Sequence, residues 1–426
     1  MSLSKEGSQH SKLKPALGLL DATAISVGAI IGAGIFVVTG IAAGFAGSAL
    51  IVSMLIAAII SLFTALSFAE LTAWQPKEGS IYEYAYQLIS PFAGFLTGWM
   101  WILSNTFAGA AVSLGFAYYL TAVLPILPAN WIAAIICLAF TALNFFGIRQ
   151  SAILNDILVI AKLSTLAFFV IFGSIHIDTA NFAPFIPFEV GVLYGACYIF
   201  FAYGGFARVA VIAEEVKDAK VNVPKAIVLS LAVSTIVYIL VVVIAVGLIG
   251  ASELSNSNSP LTKAIGVTGD TGAVYTVSAG GLLATASVLL TSILGVSRMA
   301  YAMARRKHLP KALSKLHTKY CTPYYSIWII GVSMSLLVLF IDLTKVVAMS
   351  TFALLFYYSL ANVSALRLKV QKRLYPIFLP ALGTATCLAL LIFVLFASLQ
   401  AWVIGVACLI IGAIYYFAKP KISVKK

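Results

Sequence analysis

Charge is what this sequence has least of. Only 10% of its 426 residues are Asp, Glu, Lys or Arg, against 62% apolar, and the mean hydropathy is +1.05. That balance excludes an ordinary soluble globular domain. The five cysteines (Cys137, Cys197, Cys321, Cys387, Cys408) are scattered with no CxxC, which excludes a disulfide framework and a zinc site. No group of His, Cys, Asp and Glu has metal-ligand spacing, no Ser/His/Asp order recurs on one face, and there is no phosphate loop, so neither an enzyme nor a cofactor is expected. Alternating ten-residue segments are missing too. The apolar runs are close to twenty residues long, which predicts membrane-spanning helices and not barrel strands.

An all-α membrane protein of twelve spans follows, from a first at 17–44, through a fifth at 152–176 and a sixth at 189–213, to a twelfth at 400–418. An even number puts both ends on one side. Of 27 lysines and arginines, three lie within spans and only Lys263 and Lys345 fall in outer loops, so both termini are expected in the cytoplasm, with membrane lipid as surroundings. The net charge of +13 belongs to these inner loops, and nucleic acid is not a partner. The first span is too long for a signal-peptide core, so the tail with Lys5, Lys12 and Lys14 is expected to be retained. Ile81–Tyr86 reads as a short amphipathic helix at the inner surface after a turn at Pro76–Ser80. The segment Arg305–Lys319 is the most basic and is expected to face anionic headgroups, and the outer stretch Glu253–Asp270 is a lid or a connector.

Three glycines interrupt the first span, in Gly28-Ala29-Ile30-Ile31-Gly32-Ala33-Gly34-Ile35-Phe36. Glycine lets a backbone leave helical geometry cheaply, and a break at bilayer depth leaves carbonyls and amides that lipid cannot pair. Alone, Gly28 and Gly32 are equally well a small-xxx-small packing face. The sixth span carries a second interruption, Tyr203-Gly204-Gly205-Phe206. In a chain of five plus five spans these are corresponding positions, and five is odd, so the second copy is inverted. Paired broken spans of this kind point to a transporter's substrate site.

Leu17–Phe36 (LGLLDATAISVGAIIGAGIF), Tyr203–Ile227 (YGGFARVAVIAEEVKDAKVNVPKAI) and Arg298–Pro310 (RMAYAMARRKHLP) resemble the amino acid/polyamine/organocation transporter superfamily, over about the whole chain. The resemblance implies the leucine-transporter fold. Residues 17–176 and 189–366 would be inverted five-helix repeats, 374–418 two peripheral helices, and 1–16 and 419–426 cytoplasmic tails. It also implies a substrate site at Ile30, Gly32, Ala33, Gly34, Phe201, Ala202 and Gly204. The substrate carboxylate would rest on amides at Ala33 and Gly34, where a helix amino terminus favours anions. The ammonium would rest on carbonyls of Ile30, Phe201 and Gly204, and the Phe201 ring would close over the solute as a gate.

Lys162 lies ten residues into the fifth span, about 15 Å and so near the bilayer midplane. A lysine there costs about 2.5–3.5 kcal/mol and is a functional residue by default. In proton-coupled relatives a lysine at the matching position couples transport to protons. It is expected to contact Gly28 and Ile30 and hydroxyls of the eighth span, with Ser287, Thr291 and Ser292 as candidates. A permanent tie between spans is the alternative. Ala207 stands where some relatives carry an acid, which argues against cationic substrates. Arg208 is expected to pair with Glu70 or Glu215, with contact to an anionic substrate as the alternative. Asp21 and Asp156 are expected to cap the first and fifth helices, and His176 to be solvated.

The function expected is secondary active transport of amino acids, neutral ones favoured, across the plasma membrane by alternating access coupled to protons. Amine, polyamine or amino acid exchange is the alternative, and a membrane sensor without flux a remoter one. The oligomeric state is not encoded in any of these features.

Overall fold

The computed structural model describes residues 17–76, 80–125, 127–147, 152–211 and 213–419. The expected tails at 1–16 and 420–426 and the turn at Lys77–Gly79 lie outside them. Helices dominate: α1 (Leu19–Ile30), α2 (Thr39–Ala46), α3 (Leu50–Trp74), α4 (Ser80–Leu88), α5 (Pro91–Thr121), α6 (Ala129–Phe145), α7 (Ala152–Ser174) and α8 (Val190–Ala202) form the first half. The second half comprises α9 (Arg208–Val211), α10 (Ala219–Ser255), α11 (Pro260–Gly266), α12 (Thr271–Arg305), α13 (Tyr324–Phe340), α14 (Leu343–Arg367), α15 (Phe378–Ala397) and α16 (Leu399–Ala418).

Among the described residues, eight helical segments are long and apolar enough to cross a membrane, and α6, α8 and α13 are shorter apolar helices. One segment, Leu19–Trp74, holds 56 residues. As a single rod it would reach about 84 Å, more than twice the hydrocarbon thickness. It turns back instead at Gly47, whose φ of 58° is a conformation glycine adopts at little cost. The outward faces are apolar: Ile157, Ile160 and Ile171 on α7, Ile392 and Phe396 on α15 and Ile410 and Ile414 on α16 are all exposed. Such surface is stable only against lipid. Inside, α3 packs on α10, α5 on both α12 and α14, and α6 on α13, while α1 lies against α7 and α10.

Local sequence explains the helix ends. Asp21 caps α1 by accepting from the Gly18 amide at 2.7 Å, whereas Asp156 lies inside α7 with a buried, unpaired Oδ1 and does not act as a cap. Asp270, Asp342 and Ser90 cap α12, α14 and α5. The expected amphipathic helix is α4, and its inward face (Ile81, Tyr82, Tyr84, Ala85) is fully buried. His176 is exposed, as expected.

The C-terminal end of α12 is latched to α4. Arg306 pairs with the buried Glu83 and lies over the rings of Tyr82 and Tyr86, so one member of the basic segment is committed inward and not to headgroups. Tyr82 Oη and His308 Nδ1 are 2.7 Å apart. Burial, with smaller contributions from Lys419 and Arg306, pushes His308 down from its ordinary value near 6.5 to about 4. The folded chain therefore holds this imidazole neutral while the unfolded chain protonates it first on acidification. Its stability contribution is full above pH 6.5 and declines as the pH falls toward 4. Melting of purified protein at pH 7 and pH 5 is expected to show a fall in Tm that is smaller in His308→Gln. An equal fall in both removes His308 as its source.

Candidate functional site

Both interruptions are real breaks, and they meet. α1 ends at Ile30, Ile31 leaves helical geometry (φ −78°, ψ 101°), and the chain resumes through a π-helical turn at Gly34–Val38 before α2. The second break separates α8 from α9 across Tyr203–Ala207. None of the glycines in either break has positive φ. Their use is close approach. A Cβ on Gly34 would stand 2.4 Å from Ala202 Cβ, and one on Gly205 would stand 2.3 Å from the carbonyl carbon and oxygen of Ala29. A break in one helix thus presses its backbone on the break in the other, so that the alternatives of break and packing face merge.

The freed carbonyls find donors on other helices. Tyr238 of α10 directs its hydroxyl at Ile30 O (2.8 Å) and Ala202 O (3.2 Å), one from each break. Tyr358 of α14 donates to Gly204 O at 3.1 Å, and Tyr119 of α5 donates to Phe36 O at 2.5 Å. Phe201 O accepts from the Gly204 amide at 3.1 Å. Each of the three carbonyls expected to hold an ammonium (Ile30, Phe201, Gly204) therefore already has one donor and one lone pair left. The amides of Gly32, Ala33 and Gly34 have no partner outside a helix among the described residues. They open a helix amino terminus, where unpaired donors favour an anion.

Lys162 is 2% exposed, and its ammonium donates to Gly28 O at 3.0 Å and Ile31 O at 3.2 Å. The hydroxyls expected to support it serve another cation. Arg208 Nη1 donates to Thr291 Oγ1 at 2.8 Å and Nη2 to Ser292 Oγ at 2.9 Å, while Ser287 bonds back to Ala284 O in its own helix. Glu70 is occupied elsewhere, accepting from the Leu374 and Tyr375 amides, and no carboxylate among the described residues pairs with Arg208. The expected Arg208 ion pairs are therefore replaced by two neutral hydroxyl bonds. Thr291 and Ser292 follow α12's inward face, a spacing that suits either cation. Distance alone decides between them.

Two cavities adjoin the breaks. The smaller, about 50 Å3, is lined by Ile30, Gly32, Ala33 and Gly34 from the first break and by Phe201, Ala202, Gly204 and Gly205 from the second. Ser104, Asn105 and Ser350 add polar groups, and Ala108, Val112, Val288 and Leu354 supply an apolar wall. Phe201 is half-buried at its edge. The larger, about 190 Å3, lies on the α1 side of the first break and shares Ala29, Asn105 and Arg208 with the smaller. The tyrosines were not anticipated from sequence. The available signal was a single hydroxyl-bearing ring in an apolar run such as Ile236–Val243, which needs a polar partner when buried.

Helices broken in contact, with unpaired amides facing a small cavity in an otherwise apolar helical body, define a solute-handling membrane protein and not a structural span bundle. The chain matches the amino acid permease family over residues 17–421. It belongs to that family, within the amino acid/polyamine/organocation superfamily, and is a multi-pass membrane transporter. It is 34% identical over 408 residues to an uncharacterized transporter of Mycobacterium tuberculosis, covering 95% of this chain and 91% of the relative. It is 32% identical over 436 residues to the branched-chain amino acid permease of Bacillus subtilis, covering 96% and 94%. It is 31% identical over 393 residues to the cationic amino acid transporter 4 of Mus musculus, covering 86% of this chain and 62% of that protein.

Proposed function

We propose that this amino acid transporter carries neutral amino acids across the plasma membrane by alternating access, coupled to protons through Lys162, with both termini cytoplasmic. The observation that carries the proposal is the joint cavity at the two breaks. One side offers unpaired amides at Gly32–Gly34, the other carbonyls with spare lone pairs, and the wall between is largely apolar. A zwitterion's two charged groups match those two sides. A fixed cation at Arg208 and no carboxylate in the cavity lining disfavour cationic side chains.

Twelve spans in two inverted repeats of five, followed by two peripheral helices, are supported by the packing pattern. Take α1 with α2 as span 1, α3, α5, α6 and α7 as spans 2–5, α8 with α9 as span 6, and α10, α12, α13 and α14 as spans 7–10. Exchanging each span with the one five places away leaves the contacts α3–α10, α5–α12 and α6–α13 unchanged. The same exchange turns α5–α14 into α12–α7, α3–α8 into α10–α1, and α1–α7 into α8–α14, all of which are present. Rocking one set of elements against another around the breaks then exposes the cavity to each side in turn.

Reconstitution into liposomes with an imposed pH gradient, inside alkaline, is expected to drive concentrative uptake of labelled neutral amino acids. Excess unlabelled amino acid is expected to compete, while the corresponding decarboxylated amine does not. Equal competition by amine and amino acid overturns the assignment in favour of amine exchange.

A further inference from the structure

The larger cavity is not accounted for by the solute site at the breaks. Two arginines line it. Arg208, at the second break, spends two of its five N–H groups on Thr291 and Ser292 and has three free. Arg298 lies seven residues beyond Thr291 on α12, two turns along the same face and about 10 Å further from the break. It makes no hydrogen bond or ion pair with any described residue. The buried side-chain amide nitrogen of Asn155, also in the lining, has no acceptor. No Asp or Glu contributes to the lining. Two guanidiniums and a spare amide donor in a partly apolar cavity, with no anion of the protein's own, leave a deficit of negative charge.

We infer that this cavity is a second binding site, for a carboxylate, held between Arg208 and Arg298 on the α1 side of the break. Guanidinium presents paired N–H groups that match a carboxylate's two oxygens, and Asn155 supplies a further donor. The cavity joins the smaller one through Ala29, Asn105 and Arg208. Its occupant is either the carboxylate of the transported amino acid, resting on its path through the protein, or a separate carboxylate that settles there from solution. The shared chemistry is the anion. Binding there requires neither uptake nor proton coupling, so the site stands or falls apart from the transport proposal.

Acetate is the probe, with acetamide as its uncharged counterpart, added to the full chain in lipid nanodiscs at constant ionic strength. Acetate is expected to raise Tm saturably and acetamide to leave it unchanged. Arg298→Gln is expected to weaken acetate binding about tenfold with little change in the unliganded Tm, and Arg208→Gln to weaken it at least as much. Lys311→Gln, in the basic segment outside the cavity, is expected to bind acetate as the wild type does. If Arg208→Gln fails to fold, Arg298→Gln still decides. Equal effects of acetate and acetamide overturn the proposal, as does unaltered acetate binding in Arg298→Gln or a loss in Lys311→Gln equal to that in Arg298→Gln. Competition between acetate and a neutral amino acid such as alanine identifies the solute's own carboxylate as the occupant. Simultaneous binding of both identifies a separate one.

Discussion

Gly205→Ala is expected to abolish amino acid uptake and to destabilise the fold by about 3 kcal/mol, the upper end of ordinary overpacking. The new methyl would lie 2.3 Å from Ala29 C and O and 2.5 Å from Ile30 N. These are backbone atoms of the opposing break, and no rotamer change can move them aside. To admit the methyl, the two broken helices must separate, which widens the cavity and draws Ile30 O and Ala202 O apart from the single hydroxyl of Tyr238. Gly204→Ala is the matched control. It sits in the same turn, but its nearest foreign atom is Leu354 Cδ2 at 3.2 Å, the end of a flexible side chain. That variant is expected to keep a Tm close to the wild type. Uptake and thermal unfolding of both variants provide the check, and indistinguishable behaviour would remove close approach as the reason for glycine at position 205.

The second large effect is expected at Lys162. Lys162→Met keeps most of the side chain's volume and removes the ammonium that ties Gly28 O to Ile31 O. Two opposing changes follow. The carbonyls lose a donor, at a cost of about 1–3 kcal/mol, while the expense of holding a charge in the membrane interior disappears. The net change in Tm is therefore expected to be small compared with the change in transport. Accumulation driven by a pH gradient is expected to fall at least tenfold, with any residual facilitated uptake no longer dependent on pH. Initial rates in liposomes across pH 5–8 test this. A variant slower at every pH but with the wild-type profile would show Lys162 to be a mechanical tie between α1 and α7, and would end the coupling proposal.

The broken first helix was legible because its evidence is local. Three glycines in nine residues of an apolar run have no helical purpose that propensity can supply, and α1 stops at Ile30, inside that stretch. The reason for Gly34 among them was not legible, since the 2.4 Å at which a Cβ there would meet Ala202 depends on a partner 168 residues away in sequence. Lys162 stood out because a single charge in an apolar run is costly wherever it faces. Its pairing with backbone rather than with Thr291 and Ser292 is a matter of distance that helical spacing cannot encode. Arg208 shows the same limit. Opposite charges suggested Glu70 or Glu215, yet Glu70 caps the chain at Leu374 and Tyr375. The tyrosines at 119, 238 and 358 were silent because aromatic rings on a buried face look like ordinary packing until their hydroxyls are located.

Two of those hydroxyls have a bearing on selectivity. Those of Tyr238 and Tyr358 occupy backbone oxygens of Ile30 and Gly204 that would otherwise await a cationic group, and they come from different helices, so these acceptors are half-saturated before any solute arrives. The amides at Gly32–Gly34 have no such placeholder. An amine without a carboxylate has to share oxygens whose electron density is already drawn toward a phenol, whereas a carboxylate meets donors with nothing to displace. The empty pocket is thus biased in its supply of hydrogen-bond partners. At the proposed solute site, decarboxylated analogues are therefore expected to be disfavoured before any side chain touches the wall.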